Sequence, residues 1–226
     1  MGITERRERE KIERRNTILN CAKELIFEQG VERVGMEDIA RRAELSKATL
    51  YLYFSGKEIL FNEICEESAK AFLERFRPYW ESGLTGISAL KRFWHGYVEL
   101  FGDSKDMVLI FHVYNYLNSW PIINTIPGVE PEPFNSPYVD TIFNMMKTII
   151  EQCKSEGVFD PDLDSTLAMR LVLSLFSFFV GNAANISAGS EKTEAIANEM
   201  RSAFQILIRG FAGEGVDRSQ LDINKG

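Results

Sequence analysis

Apolar residues recur at three- and four-residue spacing along nearly the whole chain, and no useful stretch alternates apolar with polar residues. A half-buried strand requires that alternation, whereas a packed helix requires the wider spacing, so the chain reads as all-α. Glycine and proline are scarce up to residue 77, which leaves room for long helices there. The first is expected over about 11–29. Ile18, Ala22, Leu25 and Ile26 share one of its faces, and Gly30 can close it in a left-handed cap. Residues 1–10, dominated by the charged run from Glu5, read as a frayed tail.

The next pattern is the most informative. Met36, Ile39, Ala40 and Ala43 fit one face of a short helix with Glu37 and Asp38 in its first turn, where the helix dipole favours acids. After a three-residue turn, Ser46 can cap a third helix. Ser55 and Glu58 then read as a capping box that opens a fourth helix through about Arg77. Two short helices joined by three residues suit a helix-turn-helix at about 36–54, whose second helix enters the major groove of DNA. On that helix Leu50 and Phe54 face the core. Ala48 and Leu52 point the opposite way, with Thr49 and Tyr51 on the flanks. Ala48 permits close approach to base edges, and Lys47 can reach guanine or phosphate acceptors. Tyr51, Tyr53 and Lys57 have the reach and donors for phosphate oxygens. An aromatic core patch would also account for Tyr51, Tyr53 and Phe54 on periodicity alone.

Pro78, Gly83 and Gly86 mark a break, after which Leu90, Trp94, Tyr97 and Phe101 form a helical stripe. A short apolar helix is expected at 107–117, a loop at 118–137, and a helix at about 138–155 with Ile142, Met146, Ile149 and Cys153 in register. Asp160-Pro161-Asp162 introduces a helix over about 163–184, and Ser190 can cap a last one over about 191–211. Residues 72–120 hold 12 aromatics in 49 positions, about twice the chain's 12% share. Core packing explains them. The functional alternative is an aromatic-walled small-molecule pocket built from Trp94, Tyr97, Phe101, Phe111, Tyr114, Asn115, Met146 and Phe176, with His95, His112 and Asn144 as further polar candidates. The helix at 163–184 is apolar nearly all round, and the last helix carries more than one narrow stripe. One domain hides one face of each, so a partner is expected over the remainder.

The net charge of −7 excludes a protein that is basic all over. Residues 1–60 hold 12 Lys/Arg against 11 Asp/Glu, net +1, so the remainder, 14 against 22, is net −8. A local basic footprint suffices for DNA, because phosphate contacts release counterions locally. Cys21, Cys65 and Cys153 are far apart and odd in number, as for reduced cytoplasmic thiols. No secretory signal or membrane-spanning run is visible. His95 and His112 lack metal-ligand spacing, and neither a glycine-rich phosphate loop nor a catalytic triad motif occurs. No catalytic residue, metal or cofactor is therefore expected, and Asp162 and Asp164 fit a helix N-terminus.

Residues 18–61, ILNCAKELIFEQGVERVGMEDIARRAELSKATLYLYFSGKEILF, resemble the DNA-binding domain of tetracycline-repressor-like (TetR family) regulators. The features that carry the likeness are the Ile-Leu-x-x-Ala…Gly helix, Asp38-Ile39-Ala40 and Ser46-Lys47-x-Thr49-Leu50-Tyr51-x-Tyr53-Phe54-x-x-Lys57-Glu58. The resemblance implies a charged tail at 1–10, a DNA-binding domain at 11–57, a connecting helix at 58–82 and an effector-binding and dimerisation domain at 83–226. It implies DNA contacts for Ser46, Lys47, Ala48, Thr49, Tyr51, Tyr53 and Lys57, to which the outward-facing Leu52 is added as a candidate. It further implies a homodimer through the two C-terminal helices, with Leu171, Leu175, Phe178, Phe179, Met200, Phe204, Leu207 and Ile208 as the interface. The function expected is a cytoplasmic, operator-binding repressor released by a small effector, which the aromatic richness of the chain favours as hydrophobic or aromatic. Activation, ligand-independent regulation, or small-molecule binding with a degenerate helix-turn-helix remain open on the sequence. Three positions depart from the family pattern. Gly35 stands where Thr or Ser is usual, Glu44 where the turn commonly has Gly, and Leu52 where a second aromatic is frequent. Leu52 is suited to a thymine methyl.

Overall fold

The computed structural model describes residues 3–81, 83–101, 105–118, 136–183 and 191–223. Among them lie nine helices and no strand: α1 (Ile3–Gln29), α2 (Met36–Arg42), α3 (Lys47–Tyr53), α4 (Lys57–Trp80), α5 (Gly86–Phe101), α6 (Lys105–Asn118), α7 (Pro137–Ser155), α8 (Ser165–Ala183) and α9 (Glu191–Gly210). The all-α expectation is met. Positions 119–135, expected as most of a loop, and Ser190, expected as a cap, lie outside the described residues.

Three sequence expectations are corrected. The chain is helical from Ile3, so residues 3–10 are not a frayed tail. Pairs such as Arg6–Glu10, one turn apart at 2.8 Å, support this helix from within. The α4 capping box is also displaced. Its first backbone bond runs from Leu60 N–H to the Gly56 carbonyl, so Gly56 rather than Ser55 sits at the cap. The same helix continues past the expected stop at Arg77 and carries Pro78 in its last turn, ending at Trp80.

The chain divides into two compact units, residues 1–68 with 109–134 and residues 69–108 with 135–226. In the first, α1, α2 and α3 close over Ile18, Ala22, Leu25, Ile39, Leu50 and Phe54, all buried. Gly30, at φ +84°, ends α1 in the left-handed conformation that glycine adopts without steric cost. The second half of α6 lies along α4 here, with the Phe61 and Tyr116 ring centroids 5.7 Å apart.

The second unit is held by an aromatic cluster from α5, α8 and α9. Trp94 stacks on Phe204 with centroids 4.0 Å apart and planes 9° apart. Tyr97 stacks on Phe176 at 3.9 Å. Buried aromatics carry the largest apolar areas of any side chains, so this cluster is the main anchor of the unit. The helix starts are capped locally. Ser136 Oγ accepts from Val139 N–H at the head of α7. Asp164 Oδ1 accepts from Thr166 and Leu167 N–H at the head of α8, and these bonds hold its carboxyl below the ordinary aspartate range. Backbone bonds from Asp160 N–H to Phe211 O and from Gly213 N–H to Val158 O fasten the end of α9 to the α7–α8 connection.

Candidate DNA-binding surface and effector core

The turn between α2 and α3 is built by the backbone. Leu45 N–H donates to the Ala40 carbonyl at 2.8 Å and Glu44 N–H to the Arg41 carbonyl at 3.2 Å. That bond pair is the Schellman ending, which requires a left-handed residue just beyond the helix cap. Glu44 takes this position with φ 56° and is the only non-glycine with positive φ among the described residues. The turn therefore holds a Cβ where glycine is common in the family that the sequence resembles. At the other end of α2, Gly35 offers no side-chain cap, but its N–H donates to Asp38 Oδ2 at 3.2 Å. Half of a capping box therefore survives the missing hydroxyl.

Helix α3 is oriented as its periodicity predicts. Leu50 and Phe54 are fully buried, Lys47 and Ala48 are exposed, and Leu52 is 82% exposed. Tyr51 is exposed, and Thr49 and Tyr53 are half-buried. Ser46 caps the helix by accepting from Thr49 N–H at 3.0 Å, and the two hydroxyls lie 2.7 Å apart. The aromatic-patch alternative thus holds for Phe54 but not for Tyr51. Lys47 Nζ donates to Glu37 across the two helix starts. That bond raises the lysine above its ordinary range and lowers the glutamate. Both groups are solvated, so the pair is weak and phosphate can compete for the lysine.

Lys57 is placed differently from the expectation of a phosphate contact. Its Nζ donates to the Val31 carbonyl at 3.1 Å and lies 4.5 Å from the Tyr116 ring centroid and 5.0 Å from that of Phe61. Its ammonium ties the end of α1 to α4 and α6. Sequence reasoning missed Arg15, which supports α3 from below. Its Nη1 donates to the Tyr53 carbonyl at 2.9 Å, its guanidinium lies 4.2 Å over the Phe54 ring, and it pairs with Glu63 through two nitrogens. Its hydrogen-bond partners are 38 and 48 residues away, so no local pattern reveals it.

The candidate effector residues fall in both units. In the second, Trp94, Tyr97, Met146 and Phe176 are buried, and the three aromatics stack on one another. The Tyr97 hydroxyl is buried without a hydrogen-bond partner, as is Ser177 Oγ, and burial pushes the phenol well above its ordinary range. In the first unit Phe111 is buried and Tyr114 half-buried, and Asn62 Oδ1, Ser68 Oγ and His112 Nε2 are buried without partners. His95 and Asn144 are exposed, which removes them from any enclosed core. The side chains of Phe101 and Asn115 lie outside the described residues. Burial lifts the Cys65 and Cys153 thiols to about 12, so both are inert packing groups. Among the described residues no group of three or more His, Cys, Asp or Glu is placed to hold a metal, and no helix is long and apolar enough to cross a membrane.

The expected dimer residues separate into two sets. Phe179, Met200, Phe204 and Ile208 are buried within the chain's own second unit, which removes them from an interface. Leu171 and Phe178 are exposed, and Leu175 and Leu207 are half-buried. Leu167 and Ile206, 52% and 72% exposed, were not anticipated. Leu167, Leu171 and Phe178 fall on one face of α8.

A three-helix head with an exposed, capped second helix of a helix-turn-helix, followed among the described residues by helices alone, defines a helix-turn-helix regulator. Residues 18–64 match the family of bacterial regulatory proteins called the tetR family. The HTH-type transcriptional regulator UidR of Escherichia coli K12 is 33% identical over 169 residues, which cover 71% of this chain and 76% of UidR. Two solved structures share the fold. The fatty acid degradation regulator FadR from Bacillus halodurans has a TM-score of 0.60 at 18% identity, covering 87% of this chain and 95% of FadR. AibR, solved in complex with isovaleryl coenzyme A and operator DNA, has a TM-score of 0.60 at 22% identity, covering 83% and 95%. The chain belongs to the tetR family and is a transcriptional regulator with a DNA-binding helix-turn-helix. These relatives are regulators, not enzymes.

Proposed function

We propose that the protein is a homodimeric repressor that binds a palindromic operator through α2 and α3 and leaves it when a small hydrophobic or aromatic molecule enters the C-terminal core. The observation that carries this reading is the outward face of α3. Lys47, Ala48, Tyr51 and Leu52 are all exposed on a helix whose opposite face is fully buried. Lys47 and Tyr51 supply donors for phosphate or guanine, Ala48 allows close approach, and Leu52 supplies an apolar contact. Ser46 and Thr49 hold the helix start, and Arg15 holds its far end at the Tyr53 carbonyl.

The apolar row Leu167, Leu171 and Phe178, with Ile206 on α9, supports dimerisation, because exposed apolar side chains of that size gain about 1.5–3 kcal/mol each when fully buried. A twofold dimer would place its recognition helices on half-sites about 34–36 Å apart or a multiple of that. The unpartnered Tyr97 hydroxyl within an aromatic core supports an effector that is mostly apolar and bears one hydrogen-bonding group. Release follows from linkage. An effector that lowers operator affinity 5–150-fold needs about 1–3 kcal/mol of coupling, and DNA weakens the effector by the same factor.

The test is selection of duplexes from a random library with the full-length protein. Enrichment of a palindrome at the stated spacing is expected, and its loss in Phe178→Glu would tie it to the dimer. Enrichment of a single, non-repeated half-site contradicts the dimer, and no enrichment contradicts DNA recognition.

A further inference from the structure

Helix α1 is longer than the domain it packs into. Ile18, Ala22 and Leu25 are buried, whereas every residue from 4 to 14 is exposed. Those eleven residues project as about 16 Å of helix at about 1.5 Å per residue. The projection is not uniformly charged. The buried stripe Ile18, Ala22, Leu25 continues backwards, at the same three- and four-residue spacing, through Arg14, Lys11 and Arg7. None of Glu5, Glu8, Glu10 and Glu13 falls on that stripe. Where this face of α1 runs out of apolar neighbours, it becomes basic.

Arg15 fixes where the projection leaves the domain. Through its bond to the Tyr53 carbonyl, α1 meets the last residue of α3 at that point. The basic stripe therefore begins at the exit of the helix that enters the groove. Glu8 and Glu10 lie one turn from these cations on its flanks and offset their mutual repulsion, but the projecting turns pack on nothing among the described residues and short unsupported helix is marginal in water. A polyanion along the stripe would give those turns a surface to pack on.

We propose that Arg7, Lys11 and Arg14 form a phosphate clamp that grips the duplex backbone beside the segment that α3 reads. The proposal rests on the reading of α3 as the recognition helix. The clamp carries no sequence information. It adds affinity for any duplex and steepens the salt dependence of binding.

The experiment compares full-length protein with the triple variant Arg7→Gln, Lys11→Gln, Arg14→Gln by fluorescence anisotropy between 50 and 200 mM salt. The probes are a duplex recovered by random selection and an unrelated duplex, and circular dichroism reports whether α1 keeps its helix. Each phosphate contact contributes about 0.9 to the slope of log K against log salt, so the triple variant is expected to lose about 2.7. The loss of affinity should be similar on both duplexes, and Arg7→Lys with Arg14→Lys should retain the slope. Arg6→Gln with Arg9→Gln, off the stripe, should leave it unchanged. An unchanged slope in the triple variant, or an equal loss in the off-stripe variant, overturns the clamp while leaving operator binding intact. Failure of the wild-type protein to bind either duplex overturns the reading of α3, and the clamp with it.

Discussion

Replacing Glu44 by glycine is expected to stabilise the turn that sets α3 on α2. At φ 56°, Glu44 occupies the left-handed region with a Cβ, which costs about 1–2 kcal/mol for an L-residue. Glycine removes that cost but returns about 0.4–1 kcal/mol through the greater freedom of the unfolded chain. The net gain is about 1 kcal/mol, or roughly fivefold in a local opening equilibrium. Glu44 is exposed and has no described contact to lose apart from its backbone bond to Arg41, which glycine keeps. Native-state hydrogen exchange of peptides from residues 36–54 reads the change directly, without requiring the two units to unfold together. Glu44→Ala is the necessary companion. It removes the negative charge from the C-terminal end of α2 but keeps the Cβ at positive φ. Glycine should slow exchange about fivefold beyond alanine. Equal protection in the two variants would show that charge, not backbone strain, is the cost at this site, and faster exchange in the glycine variant would refute the argument altogether.

Three further outcomes are expected. Replacing thymine by uracil throughout a bound duplex deletes only the C5-methyl groups, so it should weaken wild-type binding yet leave Leu52→Ala indifferent, as measured by anisotropy; equal sensitivity of both proteins removes Leu52 from base recognition. Tyr97→Phe relieves an unpartnered buried hydroxyl and should stabilise the ligand-free second unit by about 1–3 kcal/mol in thermal or urea unfolding, whereas a loss of stability would mean that the hydroxyl is satisfied. Burial lowers the His112 imidazole below its ordinary value of 6.5, so the folded chain keeps it neutral where the unfolded chain takes up a proton. Its contribution is therefore complete above about pH 6.5 and is lost as pH falls from there to the folded value. His112→Gln should flatten the acid side of the stability profile, and an unchanged profile would show that the proton is not linked to folding.

The helix-turn-helix was legible because its determinants are local. The caps at Gly30 and Ser46, the inward pair Leu50 and Phe54 and the outward Ala48 and Leu52 all follow from spacing within a few residues. Even the strain at Glu44 could be anticipated from the turn's need for a left-handed residue. Features that depend on distant partners were not legible. Arg15 acquires its role from Tyr53 and Glu63, and Lys57 is drawn inward by Val31 and Tyr116. The all-round apolar character of α8 and α9 indicated that both must be covered, but not which face the chain covers itself. Trp94 decides that by stacking on Phe204, with the Phe176 ring tilted against it, and Ile206, two residues on, is left exposed. The charged N-terminus looked like a tail because its residues alternate in sign along the chain, and only the helical register brings Arg7, Lys11 and Arg14 onto one stripe.

The central claim is sequence-specific operator binding through α3, and its most direct test is fluorescence anisotropy on duplexes from upstream of the protein's own gene and its neighbours. The measurement is made at two salt concentrations with unrelated DNA as competitor, on the wild type and on Lys47→Ala with Tyr51→Phe. The account predicts wild-type binding that survives the competitor, weakens with salt and falls substantially in the variant. Binding that the competitor abolishes, or that the α3 substitutions leave untouched, would contradict it.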